Sequence, residues 1–403
     1  MAKAYSSSSI LWAQVWGLAT MQGAITLMWV IYNLYLVQLL TQFGFPGPLA
    51  TGLLVIENLL AMVMEPLMGS FSDRLQHQVG TKFPLVSLGV ILAAGCFFII
   101  PTLVFWGQAP VVRWLLPAML VAWALAMTVF RSPAMSLLGR YAFGTQLPQA
   151  ASILTLVGAL AGAAGPLAND VILGLGPMVA FTLGSGVLLG ATFALSRFNP
   201  NQTLIPTDKD SGDDLQNPHP LSWRNLGLIF GAGTGVALGF RLVMTTYPAI
   251  LKQNVTAIAP PLVMGLVFVA LAVTAIPAGW VAIRLGNRRA MVLGLALLVF
   301  ITAIMGTVTN VGISLAIAAL LGGGLSLVFN GTLPFALALV PADKAGLGTG
   351  LYFSGGALAT ALFAGLLRGM NLPFQSSGLI AALAFVVAGL CVGVAGSPTP
   401  ANR

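Results

Sequence analysis

Twelve apolar runs follow one another along a 403-residue chain, most of them near the length a helix needs to cross a bilayer. At 1.5 Å per residue a hydrocarbon core of about 30 Å takes roughly 20 residues. The runs begin with Ile10 to Leu40 and end with Gly378 to Val394. Hydrocarbon offers no partner to a bare N–H or C=O, so each run must satisfy its backbone internally, and runs this long are expected to be membrane-crossing helices. Only 6% of the residues are charged and 58% are hydrophobic, against about 25% charged in an ordinary soluble domain. Too little polar surface exists to cover a water-soluble globule. The expected fold is an all-α membrane protein of the multi-pass, inner or plasma membrane type. The first run exceeds the roughly 7 to 15 apolar residues of a cleavable signal and is expected to be a span.

Charge and cysteine usage remove several functions. Seventeen Lys and Arg against nine Asp and Glu give +8, but spread this thinly they form no basic face for nucleic acid. Cys96 and Cys391 each sit in an apolar run, and His77 and His219 are the only histidines. Neither a disulfide framework nor a metal site is expected, and with no nucleophile and base pair inside the membrane, neither is a catalytic residue, a cofactor or an enzyme activity.

One stretch reads as aqueous linker. Residues 198–223 hold Asp208, Lys209, Asp210, Asp213 and Asp214 with four prolines. They divide the chain into 1–197 and 224–403, six runs each. Lys and Arg in short loops are retained on the cytoplasmic side. With the N-terminus inside, twelve basic residues fall in the cytoplasm, among them Arg74, Lys82, Arg284, Arg288 and Arg289. Arg113, Lys252 and Arg368 are the three that fall outside, so both termini are expected in the cytoplasm.

The two halves repeat each other. Gly69-Ser-Phe-Ser-Asp73-Arg74-Leu75 aligns with Gly279-Trp-Val-Ala-Ile283-Arg284-Leu285 at an offset of 210 residues, and Phe130-Arg131 aligns with Phe329-Asn330 at 199. A glycine at a helix end followed by Asp-Arg and further basic residues resembles the loop motif of the major facilitator superfamily; the second copy lacks the Asp. Glu57-Asn58-x2-Ala61-x4-Pro66-x2-Gly69-x2-Ser72-Asp73-Arg74 is similar to the second helix of sucrose-transporter-like and glycoside-pentoside-hexuronide cation symporters. Phe130-Arg131-Ser132-Pro133, Asn330-Gly-Thr-Leu333-Pro334 and Gly346-x2-Thr349-Gly350-Leu351-Tyr352 point to the same branch. The resemblance implies twelve transmembrane helices in two pseudo-symmetric six-helix bundles, with Gly69, Asp73, Arg74, Gly279 and Arg284 as gating residues. Solute then binds near the midplane between the halves.

Ionised groups inside a membrane cost about 2.5 to 3.5 kcal/mol each unless they face a cavity or a partner. Glu57 lies about nine residues into the second run, roughly 13 Å down. In the resembling symporters an acid here serves the coupling cation, and a lone buried carboxyl can bind and release a proton. Sodium would need several hard oxygens, whereas Asn58 alone stands nearby, so a proton is expected and Arg131 is its expected charge partner. Glu65 reads as an ion-pair residue near the motif, and Asp170 as a helix-end residue at the outer interface. Gln22, Thr26, Trp29 and Asn33 form one polar stripe of the first run. Thr234, Leu238, Arg241 and Thr245 repeat its spacing 212 residues on. Gln22, Thr26, Trp29, Asn33, Arg241, Thr245 and Asn330 are the expected solute contacts. Gly231-Ala-Gly233-Thr-Gly235 lies inside an apolar run with no strand before it, so it reads as a helix-packing surface and not a nucleotide loop.

These residues point to a monomeric secondary transporter of a small polar solute, a sugar or glycoside, moved by alternating access and coupled to protons. An efflux antiporter for amphipathic compounds, to which Gly158-x3-Gly162-x2-Gly165-Pro166 lends weight, is the alternative of the same fold. So is an organic-anion exchanger clamping its substrate between Arg131 and Arg241. A receptor or enzyme scaffold lacks any sizeable aqueous domain to work with.

Overall fold

The computed structural model describes residues 10–103, 110–198, 221–255, 257–370 and 372–395. Twelve of its helices are long and apolar enough to cross a membrane. The first half contains α1 (Trp12–Gln42), α2 (Gly47–Val79), α3 (Phe83–Thr102), α4 (Pro110–Ser136), α5 (Leu147–Leu167) and α6 (Gly176–Phe198). The second contains α7 (Trp223–Asn254), α8 (Pro260–Leu285), α9 (Asn287–Ile304), α10 (Val311–Ala338), α11 (Ala345–Leu362) and α12 (Phe374–Val394). The linker expected over 198–223 falls almost wholly outside the described residues. The second span continues past Phe71 to Val79, so Asp73 and Arg74 ride on helix and not on a loop.

Packing repeats from one half to the other. In the first, α1 lies on α5 and α6, α2 on α4, and α3 on α4 and α6; in the second, α7 lies on α11 and α12, α8 on α10, and α9 on α10 and α12. Each half holds its own apolar core, one built from Val15 through Leu195 and the other from Leu226 through Ala395, with Leu333 and Ala159 reaching across. The outer helices α3, α6, α9 and α12 keep large apolar side chains exposed, such as Ile91, Phe193, Phe300 and Leu383. In lipid that surface needs no cover.

The halves meet along two seams, α2 with α11 and α5 with α8 and α10. Small residues make the close approach. A Cβ at Gly350 would stand 2.5 Å from the Glu65 carbonyl oxygen, and one at Gly279 would meet the Ser152 Cβ at 3.0 Å. Gly233 and Gly235 likewise face the Tyr352 and Ala384 backbones, so this run of glycines is a packing surface. Pro66 cannot donate to the carbonyl four residues back. That carbonyl, of Met62, accepts from Ser354 Oγ of α11 instead.

Candidate functional site: a central chamber and the bonds around it

A cavity of about 270 Å³ lies between the halves, walled by α1, α5, α7, α8, α10 and α11. Five aromatic rings dominate it, those of Phe240, Phe268, Phe329, Tyr352 and Phe353; Gln22, Thr26, Thr155 and Thr332 supply the polar groups. Phe240 meets Phe329 edge-on at 5.6 Å and Phe268 at 6.4 Å. Part of the polar capacity is spent locally, because Thr26 Oγ1 donates to the Gln22 carbonyl at 2.9 Å. No ionised side chain stands among its described lining residues.

The end of the bundle that carries Asp73 is bonded shut. Asp73 is buried, and its carboxylate accepts from the backbone N–H groups of Gly346 and Leu347 at the start of α11, both at 2.9 Å. Lys82 Nζ donates to the same carboxylate at 2.6 Å and to Ser136 Oγ at 2.7 Å. Burial draws the Lys82 ammonium below the ordinary lysine range, with Asp73 opposing the shift. A turn deeper, Thr349 Oγ1 donates to the Ser132 carbonyl at 3.1 Å. Arg131 lies over the ring of Phe353, 4.6 Å from its centroid.

The buried charges pair differently from expectation. Arg131 forms its ion pair with Glu65, at 2.5 Å to Nη2 and 2.8 Å to Nε, and not with Glu57. Depth decides this: Arg131 lies near the end of α4 beside the Asp73 end of α2, and Glu57 sits two turns further along α2. Glu57 accepts from the Tyr32 hydroxyl at 2.5 Å, its second oxygen having no hydrogen-bond partner. Tyr32 in turn stacks on Trp123, 4.4 Å between centroids. Glu57 therefore lies in the interior of the first half, off the chamber wall.

The expected solute contacts divide three ways. Gln22 and Thr26 line the chamber. Asn33, Arg241 and Thr245 line a second cavity of about 420 Å³, further from the Asp73 end. Trp29 and Asn330 line neither. Trp29 packs edge-on against Tyr32 and Trp123 at 5.7 and 4.8 Å, in an aromatic cluster of the first half away from both cavities. Asn330 is fully buried and donates to the Ala275 carbonyl at 2.7 Å, tying α10 to α8. A clamp of Arg131 with Arg241 is not formed either, since Arg131 is held by Glu65. Gly69 packs on Gly346, Gly279 on Ser152, and Arg74 and Arg284 are exposed at the same end. Asp170 stands at the opposite end beside Asn169. Sequence reasoning missed the five chamber aromatics, although Phe240 adjoins Arg241 and Tyr352 closes a motif already singled out.

Two six-helix halves around a shared chamber define a polytopic membrane protein of the major facilitator fold. Residues 229–403 match the sequence profile of the Major Facilitator Superfamily. No curated protein matches the chain. Among solved structures, the human organic anion transporter MFSD10 (TETRAN) is similar at a TM-score of 0.67 and 16% identity, over 95% of this chain and 99% of that one. A bacterial homologue of the iron transporter ferroportin, in an outward-facing state with soaked iron, is similar at 0.70 and 16%, over 95% and 98%. At that identity the likeness is one of fold.

Proposed function

We propose that the protein is a secondary transporter that carries a small amphipathic solute across the membrane by alternating access and couples this to protons. The chamber carries the reading. Five aromatic rings and a few hydroxyl and amide groups, drawn from both halves, suit a solute with an apolar body and one or two hydrogen-bonding groups. A sugar would ask for many convergent donors and acceptors, and Gln22, Thr26, Thr155 and Thr332 are few for that. Bonds at the Asp73 end hold one face closed, and rocking the halves about the chamber would open it. The excess of basic residues at that end supports a cytoplasmic orientation for it in this reading.

Glu57 is the proton site in this reading, with Tyr32 as its hydrogen-bond partner, and Glu65 with Arg131 forms a gate-side pair. Counterflow in proteoliposomes tests the proposal. Preloaded unlabelled amphipath should drive uptake of its labelled form, and an imposed pH gradient should drive net uptake that Glu57→Gln abolishes. Gradient-driven movement of a neutral sugar with none of any amphipath would replace this solute class by the sugar reading. Absence of movement for both would remove the transport proposal.

A further inference from the structure

The second cavity is built unlike the chamber. Two guanidinium groups line it, Arg241 from the middle of α7 and Arg368 just beyond α11, together with Asn33, Thr245 and Ser377. Neither guanidinium has a hydrogen-bond or ion-pair partner among the described residues. The ion pairs found join Asp73 to Lys82, Glu65 to Arg131, and Asp343 to His77 and Lys344, all near the other end. Among the described residues the acids on this side are Glu57 and Asp170; Tyr32 holds the first and Asn169 contacts the second. Arg113 and Lys252 add further positive charge at this end. Arg241 is partly buried without a counter-charge. That is costly for a cation drawn out of water, and an anion in the same cavity would offset the cost.

The cavity also lies in line with the chamber. Phe240 lines the chamber and Arg241 the outer cavity, as neighbours on α7. On α1 the two levels are marked by Thr26 and Asn33, and on α11 by Phe353 and Thr360. Seven residues of helix separate each of these pairs, about 10 Å along the axis.

We propose that this outer cavity is an anion-binding vestibule, in which Arg241 and Arg368 take the oxyanion group of an organic solute whose apolar body then enters the aromatic chamber. A planar guanidinium with five donors matches a carboxylate, sulfonate or phosphate monoester in two-pronged fashion. The solute's onward route rests on the transport reading; the site itself does not.

Equilibrium titration calorimetry on the purified chain in uncharged-lipid nanodiscs tests it, with 1-naphthoate and its neutral isostere 1-naphthamide as probes. Wild type should bind the naphthoate at least about tenfold more tightly than the amide, the value of one charge-assisted contact. Raising salt from about 50 to about 500 mM should weaken the naphthoate and leave the amide unchanged. Arg241→Gln should erase the preference, Arg241→Lys should keep only the part owed to charge and lose that of the fork, and exposed Arg368→Gln should cut it by about threefold. Equal affinity for the two probes, no naphthoate binding up to about 10 mM, or a naphthoate affinity untouched by Arg241→Gln overturns the proposal. Should Arg241→Gln not fold, an affinity untouched by Arg368→Gln overturns it equally. Arginine-dependent naphthoate binding by a chain that moves no solute would sink the transport reading and leave the anion site standing. Transport of neutral amphipaths with no anion preference would do the reverse.

Discussion

Replacing Asp73 by Asn separates two energies that meet on one carboxylate. The first acts between the halves, where Asp73 accepts two N–H groups of α11, both at 2.9 Å. Hydrogen bonds to a charged group contribute about 1.5 to 3 kcal/mol each, so the closed arrangement loses about 3 to 6 kcal/mol, and less if Asn keeps one bond. At about 1.4 kcal/mol per decade, the closed-to-open ratio falls by a factor on the order of a hundred to ten thousand. The second acts within the first half: Lys82, buried at 2.6 Å from Asp73, loses its counter-charge. Breaking a buried pair in this way costs about 3 to 5 kcal/mol of stability. Lys82→Met with Asp73→Asn removes that second cost and leaves the first. Spin labels at Gln78 and Ala342, in a background with Cys96 and Cys391 replaced, report the spacing across the seam by double electron resonance. Asp73→Asn and the double variant should both gain a longer-distance population and Lys82→Met alone should not, whereas Asp73→Asn and Lys82→Met, each of which strands one buried partner, should lose more melting temperature than the double variant. Identical distance distributions in wild type and the double variant would refute the assignment of Asp73 as the bond between halves.

Three further outcomes follow from the same contacts. In Asp73→Asn, Lys82 keeps its burial and loses the group that opposes it, so the unfolded chain holds a proton the folded chain gives up. Stability should therefore rise with pH toward the ordinary lysine range, more than in wild type, as melting curves between about pH 7 and 9.5 would read. Ser354→Ala leaves the Met62 carbonyl, already freed by Pro66, without a donor, and should weaken the closed seam by about 1 to 3 kcal/mol in the same distance measurement. Arg131→Ala strands Glu65 in the interior and should cost about 3 to 5 kcal/mol, whereas Arg131→Met with Glu65→Met should recover most of it in thermal unfolding.

The all-helical membrane fold, the number of spans and the repeat between halves were legible in the residues alone. Hydrocarbon leaves a chain so poor in charge one way to satisfy its backbone, and run length counts the crossings. Local spacing also marked Asp73, Gly69 and the polar stripe of α1. It could not say which acid meets which base. Glu57 and Glu65 stand eight residues apart on α2, and only the packing of α4 sets Arg131 against Glu65 and hands Glu57 to Tyr32. Nor could it divide the polar residues among two cavities and a packed interior. Trp29 and Asn330 look like Gln22 in one dimension, yet neighbouring helices bury Asn330 and draw Trp29 into an aromatic cluster off both cavities. The chamber aromatics come from four helices more than a hundred residues apart at their extremes, and no pattern within one run marks a wall assembled from many. Helix type and length answer to the solvent around each segment, which composition reveals; contact partners answer to depth and rotation of helices against one another, which tertiary packing alone determines.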